Sequence, residues 1–268
     1  MTKTNITAHM IVKNEDQWVY FAINSVLPYV DHFLITDTGS TDNTLKIIRS
    51  IKSPKIKLTQ TEAGTQKLVT ALRQDQLNKT TTSWVWIVDA DEIYPQKTAQ
   101  ECLDFTKQGE VEGVVVRRYD LLGDVYHKQI ESVGEYRLFG YAGHLLVRLI
   151  NRDFLKGLHY EGNYPNEGFY TGEGQSILGR DKSQWRFTTH HLYHAMYLKR
   201  SSLGGNLNMF NRNKYKLETG ITIKDSLPEI FYLPLPSIIP NPFTKRGIIY
   251  EILASIISPL KRIKRKVL

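Results

Sequence analysis

Short apolar runs and amphipathic segments alternate through the first 117 residues, and this alternation constrains the fold more than any other feature of the chain. Ile6–Val12 reads as a strand, and Glu15–Leu27 as a helix with Trp18, Phe21, Ala22 and Val26 on one face. His32–Thr36 is a second strand. It ends in the turn-rich Asp37-Thr38-Gly39-Ser40-Thr41-Asp42, whose Thr41 or Asp42 can cap a helix over Asn43–Ile51. Lys55–Thr59 is a third strand, Lys67–Leu77 a helix and Trp84–Val88 a strongly apolar strand. A helix opened by Pro95 then runs to about Lys107, before a fifth strand at Gly113–Arg117. Strands apolar on both faces and separated by helices predict a Rossmann-like, mostly parallel sheet with flanking helices. In such a sheet ligands bind outside the carboxyl ends of the strands. The acidic clusters at Asp37 and at Asp89–Glu92 each follow a strand directly, so both are expected to face one crevice.

The 268 residues, 41% hydrophobic and 23% charged, suffice for one large α/β domain with a small appendage. Cys102 is the one cysteine, which excludes an intramolecular disulfide and a cysteine zinc site. The first residues lack the apolar core of a secretory signal, and no apolar run is long enough to span a bilayer, so a cytoplasmic protein is expected. The net charge of +8 is unevenly placed: residues 244–268 carry +6, and the rest of the chain only +2. A nearly neutral body argues against a nucleic-acid partner.

Beyond residue 118 the pattern becomes irregular and rich in Gly, Tyr and His, with short strands such as His144–Ile150. Residues 228–243 hold five of the ten prolines and read as a linker. In the basic tail, residues 244–268, the apolar Ile248, Ile249, Ile252, Leu253, Ile256, Ile257 and Leu260 recur at helical spacing, with Glu251, Ser255 and Ser258 opposite. Lys261–Lys266 adds five cations. This amphipathic helix, interrupted at Pro259, suits the surface of an anionic membrane, which places the protein peripherally at the inner face of the cell membrane.

The sharpest chemical signal is Asp89-Ala90-Asp91-Glu92 after the apolar strand. Carboxylates two apart on an extended segment point the same way, about 6–7 Å apart, and can hold a hard divalent cation against a diphosphate. The Asp37–Asp42 turn offers amides and hydroxyls to a phosphate or nucleotide, and Arg73 on the third helix can reach a diphosphate. An acidic turn, a capped helix and a solvated arginine are the plainer readings of the same residues.

Together, Met10-Ile11-Val12-Lys13-Asn14-Glu15, Thr36-Asp37-Thr38-Gly39-Ser40-Thr41-Asp42-Asn43-Thr44 and Asp89-Ala90-Asp91-Glu92 strongly resemble the family 2 glycosyltransferases. The resemblance covers about residues 6–95, with weaker echoes to about residue 195. It implies a GT-A fold over residues 1–227, with the nucleotide-sugar half at about 1–118 and an irregular acceptor-side lobe at about 119–227. It also implies inverting transfer from a nucleotide-sugar donor, UDP-linked, with Mn²⁺ or Mg²⁺ as cofactor. Asp37 would read the base, Asp89 the ribose or sugar, and Asp91 would ligate the metal. Val12 and Glu15 would line the nucleotide pocket, and Arg73 would bind the donor, although Gln74 stands where relatives often have Asn.

Inversion needs a carboxylate base. Asn166-Glu167 stands where relatives often have His-Glu, which makes Glu167 the first choice and Glu161 the second. A late histidine completes the metal site in many GT-A enzymes. His191 and His194, three apart and expected on one helical face, are the candidates. The acceptor expected is a cell-surface glycan or glycolipid. Two other functions compete with this one. A sugar-nucleotide pyrophosphorylase should carry a Gly-rich, Arg-containing loop where this chain has Lys13-Asn14-Glu15-Asp16. A non-catalytic nucleotide-sugar-binding or scaffold protein would keep the pocket without turnover.

Overall fold

The computed structural model describes residues 5–62, 66–203 and 216–267. Its parallel half comprises β1 (Ile6–Val12), β2 (His32–Asp37), β3 (Ile56–Gln60) and β4 (Trp84–Ile87), in the spatial order β3-β2-β1-β4. Helices α1 (Val19–Val26), α2 (Thr44–Ser50) and α3 (Gln66–Asn78) make the crossovers. Every residue of β1 and of β4 is buried, as strands covered on both faces require. The chain runs outward from β1 through β2 to β3, then returns to add β4 on the other side of β1. That reversal opens a crevice between the carboxyl ends of β1 and β4.

α1 starts at Val19, later than its periodicity suggests, because the preceding residues build a loop. Asn14 takes φ 53° and its Oδ1 accepts the Thr41 N–H at 2.8 Å, locking the β1–α1 loop to the β2–α2 loop. After β4, the two-residue strand β5 (Glu92–Ile93) precedes α4 (Gln96–Thr106).

The second half is mixed. β6 (Gly113–Leu122) and β7 (Asp124–Lys128) form an antiparallel pair at one end of the large sheet, and two small hairpins lie outside that sheet. The hairpins are β8 (Tyr136–Leu138) with β9 (Tyr141–Gly143), and β11 (His159–Glu161) with β12 (Gly168–Tyr170). β10 (Leu145–Asn151) lies antiparallel between β4 and β6. β13 (Trp185–His194) runs parallel to β6 and, at its end, antiparallel to β5. β14 (Ile221–Thr222) edges the sheet beside β7. The segment holding His191 and His194 is therefore extended, not helical.

The proline-rich stretch is a packed strap and not a linker. Leu227, Phe231 and Ile239 are buried in the main core, and the Phe231 ring meets Phe21 edge-on at 5.1 Å. Proline limits this segment to one 3₁₀ turn, Glu229–Tyr232, and keeps it out of the sheet, but it leaves the aromatic and aliphatic side chains between the prolines free to pack. The chain ends in α5 (Ile248–Val267), which continues through Pro259 where an interruption was expected. Among the described residues no helix is long and apolar enough to cross a membrane. The side chain of Lys266, one of the expected tail cations, lies outside those described.

If the strap is part of the core, Phe231→Ala should cost about 3 kcal/mol in urea unfolding, the usual price of emptying a buried aromatic site. A change close to zero would return residues 228–243 to the status of a linker.

Candidate active site

The crevice at the β1 and β4 ends is a cleft of about 170 Å³, lined by Lys13, Glu15, Arg73, Asp89, Asp91 and His194 among others. Its floor is a lattice of buried charges. Asp91 and Glu92 are 2% and 0% exposed, a position that ionised groups hold only with partners.

Arg148 supplies one set of partners. It donates to Asp89 Oδ2 at 2.8 Å and pairs with Glu92. Val147 pairs with Val115 and Leu149 with Val114, so Arg148 is the extra residue of a β-bulge in β10. A bulge re-aims a side chain, here toward the end of β4. Burial alone would raise the Asp89 pKa, but Arg148 and then Arg73 hold it below the usual carboxylate range. For Glu92 burial outweighs Arg148, and its pKa is raised.

Asp91 lies between His194 Nε2 and Arg200 Nη2, each 3.4 Å from its Oδ2. The pairing of β5 with β13 sets His194 opposite Glu92 and thereby beside Asp91. His194 Nδ1 is held by Asp120 Oδ1 at 3.0 Å, and Asp120 is in turn paired with Arg118 at 2.8 Å. Burial opposes the charged imidazole, yet Asp91 and Asp120 raise the His194 pKa to about 9. Arg200 also pairs with the buried Glu15, and the β1–α1 loop fixes it further: Gln17 N–H donates to the Arg200 carbonyl at 3.2 Å and Trp18 Nε1 to the Lys199 carbonyl at 2.8 Å. Burial pushes the Glu15 carboxyl upward against the pull of Arg200.

Asp91 and, once its proton is displaced, His194 would offer two ligands to a divalent cation. Two ligands each about 2.1 Å from one ion, at right to tetrahedral angles, stand about 3.0–3.4 Å apart. A carboxylate on the far nitrogen is also the usual support of a metal-binding imidazole. Among the described residues no cluster of three or more His, Cys, Asp or Glu side chains is placed to hold a metal.

Glu167 lines a neighbouring groove and is tied to the cleft by Arg73 of α3. The Gln74 side-chain carbonyl accepts the Tyr160 N–H at 2.8 Å and so docks the β11–β12 hairpin on the helix. The adjacent Arg73 then meets Glu167 at 3.1 Å and Asp89 at 3.6 Å. Gln74 is thus a structural contact of the β11–β12 hairpin.

Four expected residues stand apart from this cluster. Glu161 is half exposed and its carboxylate pairs with His159 at 2.8 Å, outside the cleft. His191, three residues before His194 on an extended strand, faces the other side of the sheet and stacks on Tyr119 at 4.1 Å. Burial, then Lys128 and Arg117, lower its pKa to about 4. The Val12 side chain is core, and the residue acts through its carbonyl, which accepts the Thr38 N–H at 2.9 Å. Asp37 is wholly buried. Its Oδ1 accepts the Gly39 and Ser40 N–H groups at 3.0 Å each, and its Oδ2 has no hydrogen-bond partner among the described residues.

Sequence reading passed over Arg148, Arg200, Arg118 and Asp120 as site residues. Arg148, Arg118 and Asp120 had a signal, as charges inside otherwise apolar strands. Arg200, in an irregular stretch, had none. Because Glu92 is fully buried against Arg148, Arg148→Met should cost about 3 kcal/mol in chemical denaturation, and adding Glu92→Gln should recover at least half of that. Additive losses in the double variant would mean that the pair is not coupled.

The family model described as Glycosyl transferase family 2 matches residues 7–156. Among solved structures, S. aureus TarS 1-349 aligns at 11% identity over 71% of this chain and 60% of that one, with a TM-score of 0.48. Glucosyl-3-phosphoglycerate synthase from Mycobacterium tuberculosis, in complex with Mg²⁺ and uridine-diphosphate, aligns at 19% identity over 57% of this chain and 58% of that one, with a TM-score of 0.40. The chain therefore spans about 60% of the length of these structures. No match was found among curated proteins. With residues 7–156, more than half of its length, matched by the family model, the chain belongs to glycosyl transferase family 2.

Proposed function

We propose that this glycosyltransferase is inverting, takes a UDP-linked sugar with Mn²⁺ or Mg²⁺, and transfers it to a cell-surface glycan or glycolipid at the cytoplasmic face of the membrane. The observation that carries the reading is the single guanidinium of Arg73 set between Asp89 and Glu167, which joins a donor-side carboxylate to a candidate base.

In this scheme Asp89 receives the donor ribose or sugar, and the uracil N–H would satisfy the Oδ2 of Asp37 once the wholly buried carboxylate is uncovered. Asp91 and His194 hold the cation, which would offset the charge of the departing diphosphate. The acceptor hydroxyl oxygen attacks the anomeric carbon opposite the diphosphate, and its proton passes to Glu167. The bond to the phosphate oxygen breaks and UDP leaves with the electron pair. A second groove supports acceptor entry at Glu167. It shares Arg73 and Arg148 with the donor cleft and is walled by Leu138, Val147, Phe169 and Ile177. A glycolipid offers apolar surface to such walls.

Calorimetry on Asp91→Ala should show UDP affinity that no longer responds to Mn²⁺; an unchanged metal response would remove Asp91 as a ligand. Glu167→Gln should keep UDP binding while turnover falls by about 10²–10⁴-fold, the range for a lost general base. If Glu167→Gln turns over normally and Glu161→Gln does not, the base is Glu161. UDP binding without UDP release from any UDP-sugar would favour the non-catalytic alternative.

A further inference from the structure

α5 is attached to the domain by its polar face. A surface helix usually turns its apolar stripe to the core. Here the Tyr250 hydroxyl meets the Lys216 and Glu218 carbonyls at 3.1 Å each, and the Ser258 hydroxyl accepts the Thr219 N–H at 2.8 Å. Arg265 forks onto Glu218 at 2.7 and 2.8 Å. Between these contacts Ala254 and Ser258 are 0% and 4% exposed. Gly123 allows the close approach: it sits at φ +81°, and a Cβ there would stand 2.8 Å from the Tyr250 ring. Positions 250, 254, 258, 261 and 265 form one helical face.

The opposite face carries Ile248, Ile249, Ile252, Ile256, Leu260 and Ile263, each 54–76% exposed. So many neighbouring aliphatic side chains in solvent mark an interaction surface. Its charge selects the partner. Arg262 and Lys264 are exposed on this part of the helix, while Glu251, its one acid, is paired with Arg246. A second copy would offer these cations no free acid from α5, because Glu251 is already paired with Arg246. An anionic lipid leaflet would accept both the aliphatic stripe and the cations.

We propose that α5 lies in the interface of an anionic membrane with its isoleucine stripe buried and Arg262 and Lys264 on lipid phosphates. Because its polar face is bonded to the 216–219 segment and the β6–β7 turn, the membrane holds the catalytic domain in one fixed orientation, unlike a flexible tether. This inference needs neither the donor nor the base assignment.

The test is co-sedimentation of the full chain with vesicles of phosphatidylcholine alone or mixed equally with phosphatidylglycerol, with melting temperature and UDP binding measured in parallel. Wild type should partition onto the mixed vesicles, and less so as salt rises. Ile252→Ser with Ile256→Ser should lower partitioning at least about tenfold through lost apolar burial. Arg262→Glu with Lys264→Glu should do the same on mixed vesicles only. Melting and UDP binding should not change in either variant. Wild type that ignores both vesicle types overturns the proposal, as does a serine variant that sediments like wild type. A wild-type dimer in analytical ultracentrifugation that the serine variant dissolves also overturns it, since a second copy would then cover the stripe. Loss of UDP binding in wild type would strike the donor assignment alone.

Discussion

The crossing of Arg148 from a bulged antiparallel strand onto the acids at the end of β4 is the interaction on which the rest of the site depends. Glu92 is fully buried, and a carboxylate there costs several kcal/mol unless a cation meets it. Once Arg148 is present it also reaches Asp89, and Arg73 can bridge from Asp89 to Glu167. Arg200 repeats the device between Asp91 and Glu15. Each guanidinium ties together chain segments that are distant in sequence. The lattice is therefore both the electrostatic floor of the cleft and the joint between the two halves of the fold.

This explains what could be read from sequence. The parallel half was legible because each β–α–β unit is local: β1 runs over Ile6–Val12 as expected, and the four crossover strands follow from apolar runs between helical patterns. Asp89, Asp91 and Glu15 were legible for the same reason, as residues at strand ends. The second half relies on pairings without local signature, such as β5 with β13, and on a bulge that only the register of β10 against β6 reveals. His191 was misplaced because a spacing of three joins residues on a helix and separates them on a strand. The motif at Asp89–Glu92 contains no basic residue, and its cations come from positions 73, 148 and 200.

In the C-terminal helix only the interruption expected at Pro259 was misread. Periodicity identifies two faces of a helix but not which one meets the protein. The decision rests on three small or polar contacts that no pattern announces: Gly123 under Tyr250, Ser258 on Thr219 and Arg265 on Glu218. The strap before it was misread because proline density says only that regular hydrogen bonding is absent. Burial there comes from the aromatic residues between the prolines.

The lattice also bears on how a donor is received. Asp89, Asp91 and Glu167 each stand against a guanidinium, so an arriving diphosphate competes with carboxylates for Arg73, Arg148 and Arg200. Under the proposed function, charge-assisted bonds to phosphate would be of similar strength to those with carboxylate, so the exchange would be least costly at Arg73, whose acids are not fully buried. Arg73 turning to a phosphate would release both of its acids, Asp89 and Glu167, and Glu167 is the base in the proposed scheme. Donor binding and the freeing of a base would then be one event at one arginine, which ties the readiness of Glu167 to the presence of a sugar to transfer.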